Sequence, residues 1–265
     1  MNIGKFFKFC FGCEPDIFPE TIIVTPFIPA GKFSAECADI TPFKGRLYSG
    51  FTASRNGRKF AAVHCGLGDR MMGDAVLLMG ITSVRRILFA GACGGLGEAG
   101  IGDLIICENA FSGEGFTRYH IPESGIRNVF NSGAMIPAGP ACAERLKTSL
   151  KYGPVSPVTV RNGNIFTIGS LMAETAENLR FLDEKGFIGV DMELSAVFQA
   201  ARVTGRDAAA LLLVSDLPVS KPVWEGTGKD EKARYNAGMS ELIRTSTNFA
   251  VSGIEGYKQA GGETV

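Results

Sequence analysis

Three carboxylates lie where predicted strands and helices meet. Asp191 and Glu193 open an amphipathic helix, and Asp216 ends a strand of eight apolar or small residues. In an open α/β sheet, ligands bind where strands end and helices begin, so we expect these acids to line one pocket. Burial behind the apolar strand would raise the pKa of Asp216 and let it hold a proton at neutral pH, which suits general-acid work on a leaving group. The structural alternative is an Asp that starts the turn before Pro218.

Each of the two acids at the helix start also has a structural interpretation. Asp191 is well placed to cap the helix, and Glu193 in the first turn is favoured by the helix macrodipole. A Glu193 side chain directed into a cleft would instead accept two hydrogen bonds from a vicinal diol, as ribose recognition requires. The sequence leaves both interpretations of Glu193 open.

Two glycine-rich loops accompany these acids. Residues 91–97 follow a strand and lead through residues 100–102 into another strand. A dinucleotide-binding turn needs a helix at that point, so this loop predicts either a backbone concavity open to a ligand or a tight bend between strands. Residues 65–68 run from a strand into a helix, where free N–H groups can face a sugar or an anion. Asp69 is the expected N-cap of that helix.

Apolar, β-branched runs alternate with helical periodicity along the chain. Strands are predicted at residues 21–25, 59–65, 86–92, 103–110, 155–160 and 208–215, and helices at 69–80, 140–150, 174–185, 192–203 and 229–257. The pair Asn56-Gly57 predicts a hairpin turn, and residues 112–132 show no sustained period. We therefore expect an α/β fold with one domain at residues 20–265, preceded by an N-terminal arm at residues 1–19.

Composition narrows the range of partners. The 265 residues include 27 basic and 27 acidic side chains and no basic tract, so neither nucleic acid nor a membrane is an expected partner. Seven cysteines, several of them in apolar strands, favour a reducing compartment such as the cytoplasm. Cys10 and Cys13 form one CxxC pair without further ligands nearby, so we assign no metal. Residues 1–13 are interrupted by Lys8 and too short to span a bilayer, which favours a docking arm.

Several motifs together resemble those of the nucleoside phosphorylase superfamily, which includes bacterial hexameric purine nucleoside phosphorylases, uridine phosphorylases and methylthioadenosine nucleosidases. The motifs are Gly-Val-Asp-Met-Glu at 189–193, Val-Ser-Asp at 214–216, Gly-Ala-Cys-Gly-Gly at 91–95 before Gly-Asp-Leu-Ile-Ile at 102–106, and Arg46 ahead of Gly-Phe-Thr at 50–52. Locally the chain looks closest to the bacterial purine enzymes. The resemblance implies a central mixed, partly closed β-sheet flanked by helices, and cleavage of an N-glycosidic bond without a cofactor.

The resemblance also implies roles for individual residues. Glu193 would bind the ribose 2′ and 3′ hydroxyls with Met192 under the sugar, and Asp216 would protonate the purine N7. The residues expected around the base are Cys93, Gly94, Phe166, Asp191 and Ser215. Arg46 would reach the phosphate site of a neighbouring subunit, so the expected assembly is a homo-oligomer built from dimers.

The nucleophile end of the implied pocket departs from the family pattern. The family's Gly-Asp-x-x-Arg stretch is matched by residues 27–31, its strand-end Arg by Phe89 and its loop hydroxyl by Ala92. Of the phosphate ligands that the family pattern implies, Arg46 remains, and Lys32 is a candidate to replace a missing one. Each lost charged hydrogen bond removes about 1.5–3 kcal/mol of binding to a dianion. The Glu base of the nucleosidases is also missing, so the alternatives are a phosphorylase, a phosphate-independent nucleosidase and a nucleoside-binding protein without turnover.

Overall fold

Ten strands form one mixed sheet in the computed structural model, which describes residues 2–120, 125–151, 158–226 and 228–252. The strands are β1 Thr21–Thr25, β2 Ala38–Lys44, β3 Ser49–Arg55, β4 Arg58–His64, β5 Arg86–Gly95, β6 Leu104–Gly113, β7 Met135–Pro137, β8 Val160–Ile168, β9 Phe187–Asp191 and β10 Asp207–Asp216. Their order is β10-β6-β8-β9-β5-β1-β4-β3-β2, β7 pairs with β6, and β10 also pairs with β5. Strands β5, β10, β6, β8 and β9 therefore close into a ring, which confirms the predicted mixed, partly closed sheet.

Helices cover both faces of this sheet. They are α1 Ile3–Phe11, α2 Asp69–Leu78, α3 Thr117–His120, α4 Ile126–Ser132, α5 Pro140–Lys151, α6 Ala176–Glu184, α7 Leu194–Val203 and α8 Lys229–Val251. Buried side chains of α2 and α7 belong to one hydrophobic cluster, and those of α5 and α8 belong to another. The two clusters share β1, where Ile22 and Val24 point to the first and Ile23 points to the second. This alternation is the reason a continuous apolar run forms a strand that is buried on both faces.

Most predicted elements are present, with corrections at their ends. The hairpin turn at Asn56-Gly57 joins β3 to β4 as predicted. The predicted strand at 155–160 falls largely outside the described residues, and the strand that is seen, β8, begins at Val160. The last helix ends at Val251, and the predicted extension beyond residue 252 lies outside the described residues. Strands β2, β7 and β9 were not predicted, because β2 is mostly exposed and the other two are short.

The N-terminal arm packs against the domain as a helix. Asn2 caps α1 by accepting a hydrogen bond from the N–H of Lys5, and Gly12 ends the helix in the left-handed conformation at φ +73°. Phe7 and Phe11 are fully buried, and the Phe11 ring lies 4.7 Å from the ring of Tyr48. Aromatic side chains on one helical face thus hold the predicted docking arm in place. Among the described helices, none is long and apolar enough to cross a bilayer.

Candidate active site

The closure of the sheet places the ends of β9 and β10 on either side of Gly94 in β5. Gly94 pairs with Asp216 on one side and with Val190 on the other. Burial raises the pKa of the neighbouring Cys93 thiol well above its usual range, and the charges of Asp191 and Asp216 raise it further. The ends of β9 and β10 thus lie beside one strand, and the prediction that their acids line one pocket stays a prediction.

Asp191 is fully engaged by the protein. Its Oδ1 accepts a hydrogen bond from the Thr167 hydroxyl at 2.7 Å, and its Oδ2 accepts the N–H groups of Glu193 at 3.1 Å and Leu194 at 2.6 Å. Burial, and then the charge of Glu193, raise its pKa well above the usual range. Asp191 therefore accepts N–H groups at the start of the helix, but the prediction that it is the N-cap residue was wrong, because Glu193 holds that position. The predicted contact of Asp191 with the base stays a prediction.

Glu193 is held in place by the loop that follows β4. Its Oε1 accepts the N–H of Gly68 at 2.7 Å, and the residue is 4% exposed. Gly68 adopts φ +98°, a conformation that glycine reaches without strain, so the loop can turn this N–H toward the carboxylate. Burial raises the pKa of Glu193, the N–H groups of Gly68 and Met192 oppose that shift, and Asp69 adds to it. The anion that faces the N–H group of this loop is thus a carboxylate of the protein itself.

Two predicted helix starts need correction. Helix α2 begins at Asp69 with Gly68 as its N-cap, so the prediction that Asp69 is the N-cap was wrong. Helix α7 begins at Leu194, which makes Glu193 the N-cap residue rather than a member of the first turn. No side-chain capping bond is made by Glu193, so its carboxylate is free to point away from the helix.

Asp216 lies beneath the chain reversal that follows β10. Its Oδ1 is 2.7 Å from the Ser215 hydroxyl, and its carboxylate accepts the N–H of Val223. Burial raises the pKa of Asp216, while these two donors lower it. Pro218 packs directly on Gly94, where a Cβ atom would lie 2.4 Å from the proline Cγ. Glycine at residue 94 therefore allows the loop after β10 to close against β5.

A fourth carboxyl with a raised pKa, Glu174, was not singled out in the sequence. It was predicted as the first residue of a helix, but α6 begins at Ala176 and is capped by Thr175. Glu174 is instead half-buried at the end of a short 3-10 turn. Burial and the charge of Asp216 together raise its pKa to about 7. The helical periodicity of residues 176–184 concealed it, since an acid just before a helix is an ordinary feature.

The predicted residues around the sugar and base divide into two groups. Phe166 is fully buried, with its ring stacked on Phe111 at a centroid distance of 5.1 Å and edge-on to Phe187. It has no free face for a base, so its predicted place around the base is corrected to core packing. Met192 is partly buried against the same cluster of aromatic residues. Its role beneath the sugar stays a prediction, as do those of Cys93, Gly94 and Ser215.

The nucleophile end of the pocket is apolar, as the sequence predicts. Phe89 is fully buried, and its ring lies so close to Gly91 that a Cβ atom there would be 2.3 Å from the ring. Ile28 is 2% exposed and donates its N–H to the Thr25 hydroxyl. Both Arg46 and Lys32 are exposed, and neither makes an ion pair within the described part of the chain. Bulky apolar side chains therefore fill the region where donors for a phosphate are expected.

The charges that shift the site carboxyls are all negative. The partners that raise the pKa values of Glu174, Asp191 and Glu193 by charge are other carboxylates, with no lysine or arginine among them. The negative charge of these carboxyls suits a neutral or cation-like ligand state better than a dianion.

All seven cysteines are unpaired thiols. Over residues 2–120, 125–151, 158–226 and 228–252, no three His, Cys, Asp or Glu side chains are grouped as a metal site.

The chain matches a known family over most of its length. The family model of the phosphorylase superfamily matches residues 22–247. Purine nucleoside phosphorylase DeoD-type 2 of Vibrio cholerae serotype O1 is 24% identical over 244 residues, which is 89% of this chain and 97% of the relative. Purine nucleoside phosphorylase DeoD-type of Bacillus thuringiensis is 25% identical over 237 residues, which is 88% of this chain and 94% of the relative.

Solved structures show the same fold. A crystal structure of uridine phosphorylase from Vibrio fischeri, complexed with 6-hydroxy-1-naphthoic acid, superposes with a TM-score of 0.70 at 20% identity and covers 88% of this chain and 90% of that chain. A further crystal structure of uridine phosphorylase from the same organism has a TM-score of 0.70 at 18% identity, with 88% and 92% coverage. These similarities concern the fold, because the identities are low.

Proposed function

Because the chain belongs to the phosphorylase superfamily, we propose that it cleaves the N-glycosidic bond of a nucleoside, with a purine nucleoside as the preferred substrate. The purine preference is supported by the relatives of the DeoD type. The observation that carries the proposal is the position of Glu193 and Asp216 after strands that flank Cys93 and Gly94 of β5. One pocket can then hold the sugar and the base at once.

The proposed chemistry follows from the charge that each end of the pocket can stabilise. As the C1′–N9 bond breaks, the ribose gains oxocarbenium character and the purine gains negative charge. Glu193 accepts the 2′ and 3′ hydroxyls, and its anionic charge also favours a positive sugar. Asp216 donates a proton to N7, so the electron pair of the broken bond is accommodated by a neutral base. Met192 lies next to Glu193 and packs under the sugar.

The identity of the nucleophile gives two candidate reactions. Phosphorolysis is the reaction for which the superfamily is named, and Arg46 from a neighbouring subunit would supply cationic charge. Hydrolysis is favoured by the apolar nucleophile end, where the buried Phe89 takes the place of a phosphate donor. Water needs no anion site, so hydrolysis tolerates this replacement while phosphorolysis loses several charged hydrogen bonds.

The assembly and partners belong to the same proposal. Arg46 lies exposed in the turn between β2 and β3, where its N–H bonds to the carbonyl oxygen of Phe9 on α1. From this turn it can reach a neighbouring subunit, so we expect a homo-oligomer built from dimers. The free thiols fit a reducing cytoplasm. Sedimentation of the purified chain tests the oligomer, and mixing an Arg46→Ala variant with a Glu193→Ala variant tests whether sites are shared between subunits.

Product analysis with and without phosphate separates the alternatives. Inosine, guanosine, adenosine and uridine are incubated with the protein, and the free base and the sugar product are measured. Phosphate-dependent formation of ribose 1-phosphate supports phosphorolysis, and free ribose in phosphate-free buffer supports hydrolysis. Calorimetric binding without base release would identify a nucleoside-binding protein. If the protein neither binds nor cleaves any of the four nucleosides, the proposal is rejected.

A further inference from the structure

A carboxylate that follows β6 contacts the first turn of helix α7. Glu114 comes directly after the last residue of β6, and its Oε2 accepts the Ser195 hydroxyl at 3.0 Å. Ser195 is fully buried and lies two residues after Glu193, the N-cap residue of α7. The helix macrodipole favours a carboxylate at this end of a helix. Glu114 therefore holds the helix start that carries the candidate sugar-binding carboxylate.

The register of the sheet agrees with this contact. Ser112 of β6 is in register with Thr167 of β8, and Thr167 is in register with Asp191 of β9. Side chains two positions apart lie on the same side of a strand, so Glu114 leaves β6 on the side of Ser112. The pairing of three strands thus places Glu114, Thr167 and Asp191 at one edge of the sheet, next to the start of α7.

The backbone N–H groups at the start of α7 are bound by side chains of β8 and β9. Asp191 Oδ2 accepts two of them, and Thr167 Oγ1 accepts the N–H of Ser195 at 3.0 Å. The Thr167 hydroxyl donates in turn to Asp191 Oδ1. These contacts leave the side-chain hydroxyl of Ser195, and Glu114 is its acceptor. Residues from the ends of β6, β8 and β9 therefore fix the first turn of α7 together.

The segment that carries Glu114 is itself anchored. Gly115 adopts φ +107°, which glycine reaches without strain, and the chain turns there from β6 into α3. The Tyr119 hydroxyl donates to the carbonyl oxygen of Gly113, and Arg118 donates to the carbonyl oxygen of Glu114 at 3.1 Å. Glu114 is thus a half-buried acceptor on a backbone that two side chains hold in place.

Loss of Glu114 would leave the buried hydroxyl of Ser195 without its acceptor. A buried donor without a partner is costly, so the first turn of α7 should shift until the hydroxyl meets water or another oxygen. Because Glu193 is the N-cap residue of α7, the same shift changes the direction of its carboxylate. A displacement of about 1 Å can lower catalysis about 100-fold.

We propose that Glu114 is a positioning residue that acts through the Ser195 hydroxyl and directs the Glu193 carboxylate toward the 2′ and 3′ hydroxyls of the ribose. This inference rests on the proposed function. Glu114 itself touches neither the substrate nor the reacting atoms, and it sets how strongly the vicinal diol is recognised. Cleavage of a ribonucleoside therefore depends on Glu114, whereas cleavage of a 2′,3′-dideoxynucleoside, which lacks both hydroxyls, does not.

The purine ribonucleoside that is cleaved fastest and its 2′,3′-dideoxy analogue together test the proposal in the full chain. Glu114→Ala should lower kcat/KM about 10-fold or more for the ribonucleoside and less than about twofold for the analogue. Glu114→Gln keeps an oxygen that can accept the Ser195 hydroxyl, so it should restore most of the ribonucleoside activity. Glu108→Ala, an exposed position in the same strand, should change neither substrate. Equal losses for both substrates in Glu114→Ala, or no loss, would overturn the proposal.

Ser195→Ala removes the same contact from its other side. It should lower the preference for the ribonucleoside over the analogue by the same factor as Glu114→Ala, and the double variant should be no worse than either single variant. Additive losses in the double variant would show that Glu114 acts by another route, which rejects the positioning through Ser195.

A measurement without substrate separates failure of this inference from failure of the proposed function. Amide hydrogen exchange at Ser195 and Val197, in the first turn of α7, should be faster in Glu114→Ala and close to the wild-type rate in Glu114→Gln. An unchanged rate in Glu114→Ala overturns the positioning role, whatever the protein cleaves. If the wild type cleaves no nucleoside while the exchange rates respond as expected, the reaction proposed above fails and the control of α7 by Glu114 stands.

Discussion

Replacement of Asp191 tests whether one buried carboxylate fixes the backbone that carries Glu193. In Asp191→Ala, the Thr167 hydroxyl and the N–H groups of Glu193 and Leu194 lose their acceptor. A buried donor without an acceptor costs about 1–3 kcal/mol, so three of them give about 3–9 kcal/mol. Water that enters the vacated space can accept one or two of these bonds. We therefore expect a loss of about 3–5 kcal/mol in the free energy of unfolding.

Asp191→Asn is the matched control for this substitution. Its carboxamide oxygen can still accept the N–H groups of Glu193 and Leu194, and its NH₂ group can donate to the Thr167 oxygen. The expected loss is about 1 kcal/mol. Burial raises the pKa of Asp191, so the charged wild type loses stability as the pH rises through that raised pKa, whereas Asn does not titrate. The cost of Asp191→Asn should therefore be smaller at pH 8 than at pH 5.

Urea unfolding monitored by circular dichroism measures both variants, provided that the slope of the transition is unchanged. Amide hydrogen exchange at Glu193 and Leu194 reports the cap directly, and it should be faster in Asp191→Ala than in Asp191→Asn. The reasoning is refuted if the Ala variant loses less than about 1 kcal/mol, or if the Ala and Asn variants are equally stable at pH 5.

Three further substitutions and one pH series extend these tests. Glu193→Ala should lower kcat/KM by about 100-fold or more, because two charged hydrogen bonds to the diol are lost, and unaltered kinetics would remove Glu193 from the sugar site. Gly94→Ala should cost about 1–3 kcal/mol in urea unfolding and weaken base release, since its Cβ meets Pro218 at 2.4 Å, whereas Gly31→Ala, with nothing within 4 Å, should be neutral. Phe11→Ala should cost about 3–5 kcal/mol and Phe9→Ala, 54% exposed, little; equal losses would show that the arm is not docked through Phe11. Finally, the pKa of Glu174 is raised from 4.5 to about 7, so the wild type loses stability as the pH rises through that range. The free energy of unfolding of Glu174→Gln should therefore exceed that of the wild type by about 3 kcal/mol more at pH 8 than at pH 4. Parallel curves of stability against pH for the two proteins would contradict this.

Recognition of the site from the sequence depended on residues whose position follows from local pattern. Asp216 had to emerge at the end of β10, because a run of apolar residues forms a buried strand whose end lies at the edge of the sheet. Asp191 had to lie near the start of α7, because Asp is preferred at helix N-termini. Glu174 and Phe166 could not be assigned in this way. Glu174 falls within a helical pattern, and the burial of the Phe166 ring against Phe111, which prevents it from stacking on a base, depends on contacts between separate strands.

The sequence by itself determined the family motifs, the alternation of strands and helices, and the residue types that can hold a sugar and donate a proton. Those properties are local or depend on short-range periodicity, so they can be seen without a structure. Only the tertiary structure decided that β10 pairs with β5 and closes the ring, that Gly68 donates to Glu193 across 125 positions of sequence, and that burial and the charge of Asp216 raise the pKa of Glu174. The physical reason is that burial, charge and hydrogen bonding depend on which distant segments pack together, and those contacts set the pKa values of the carboxyls.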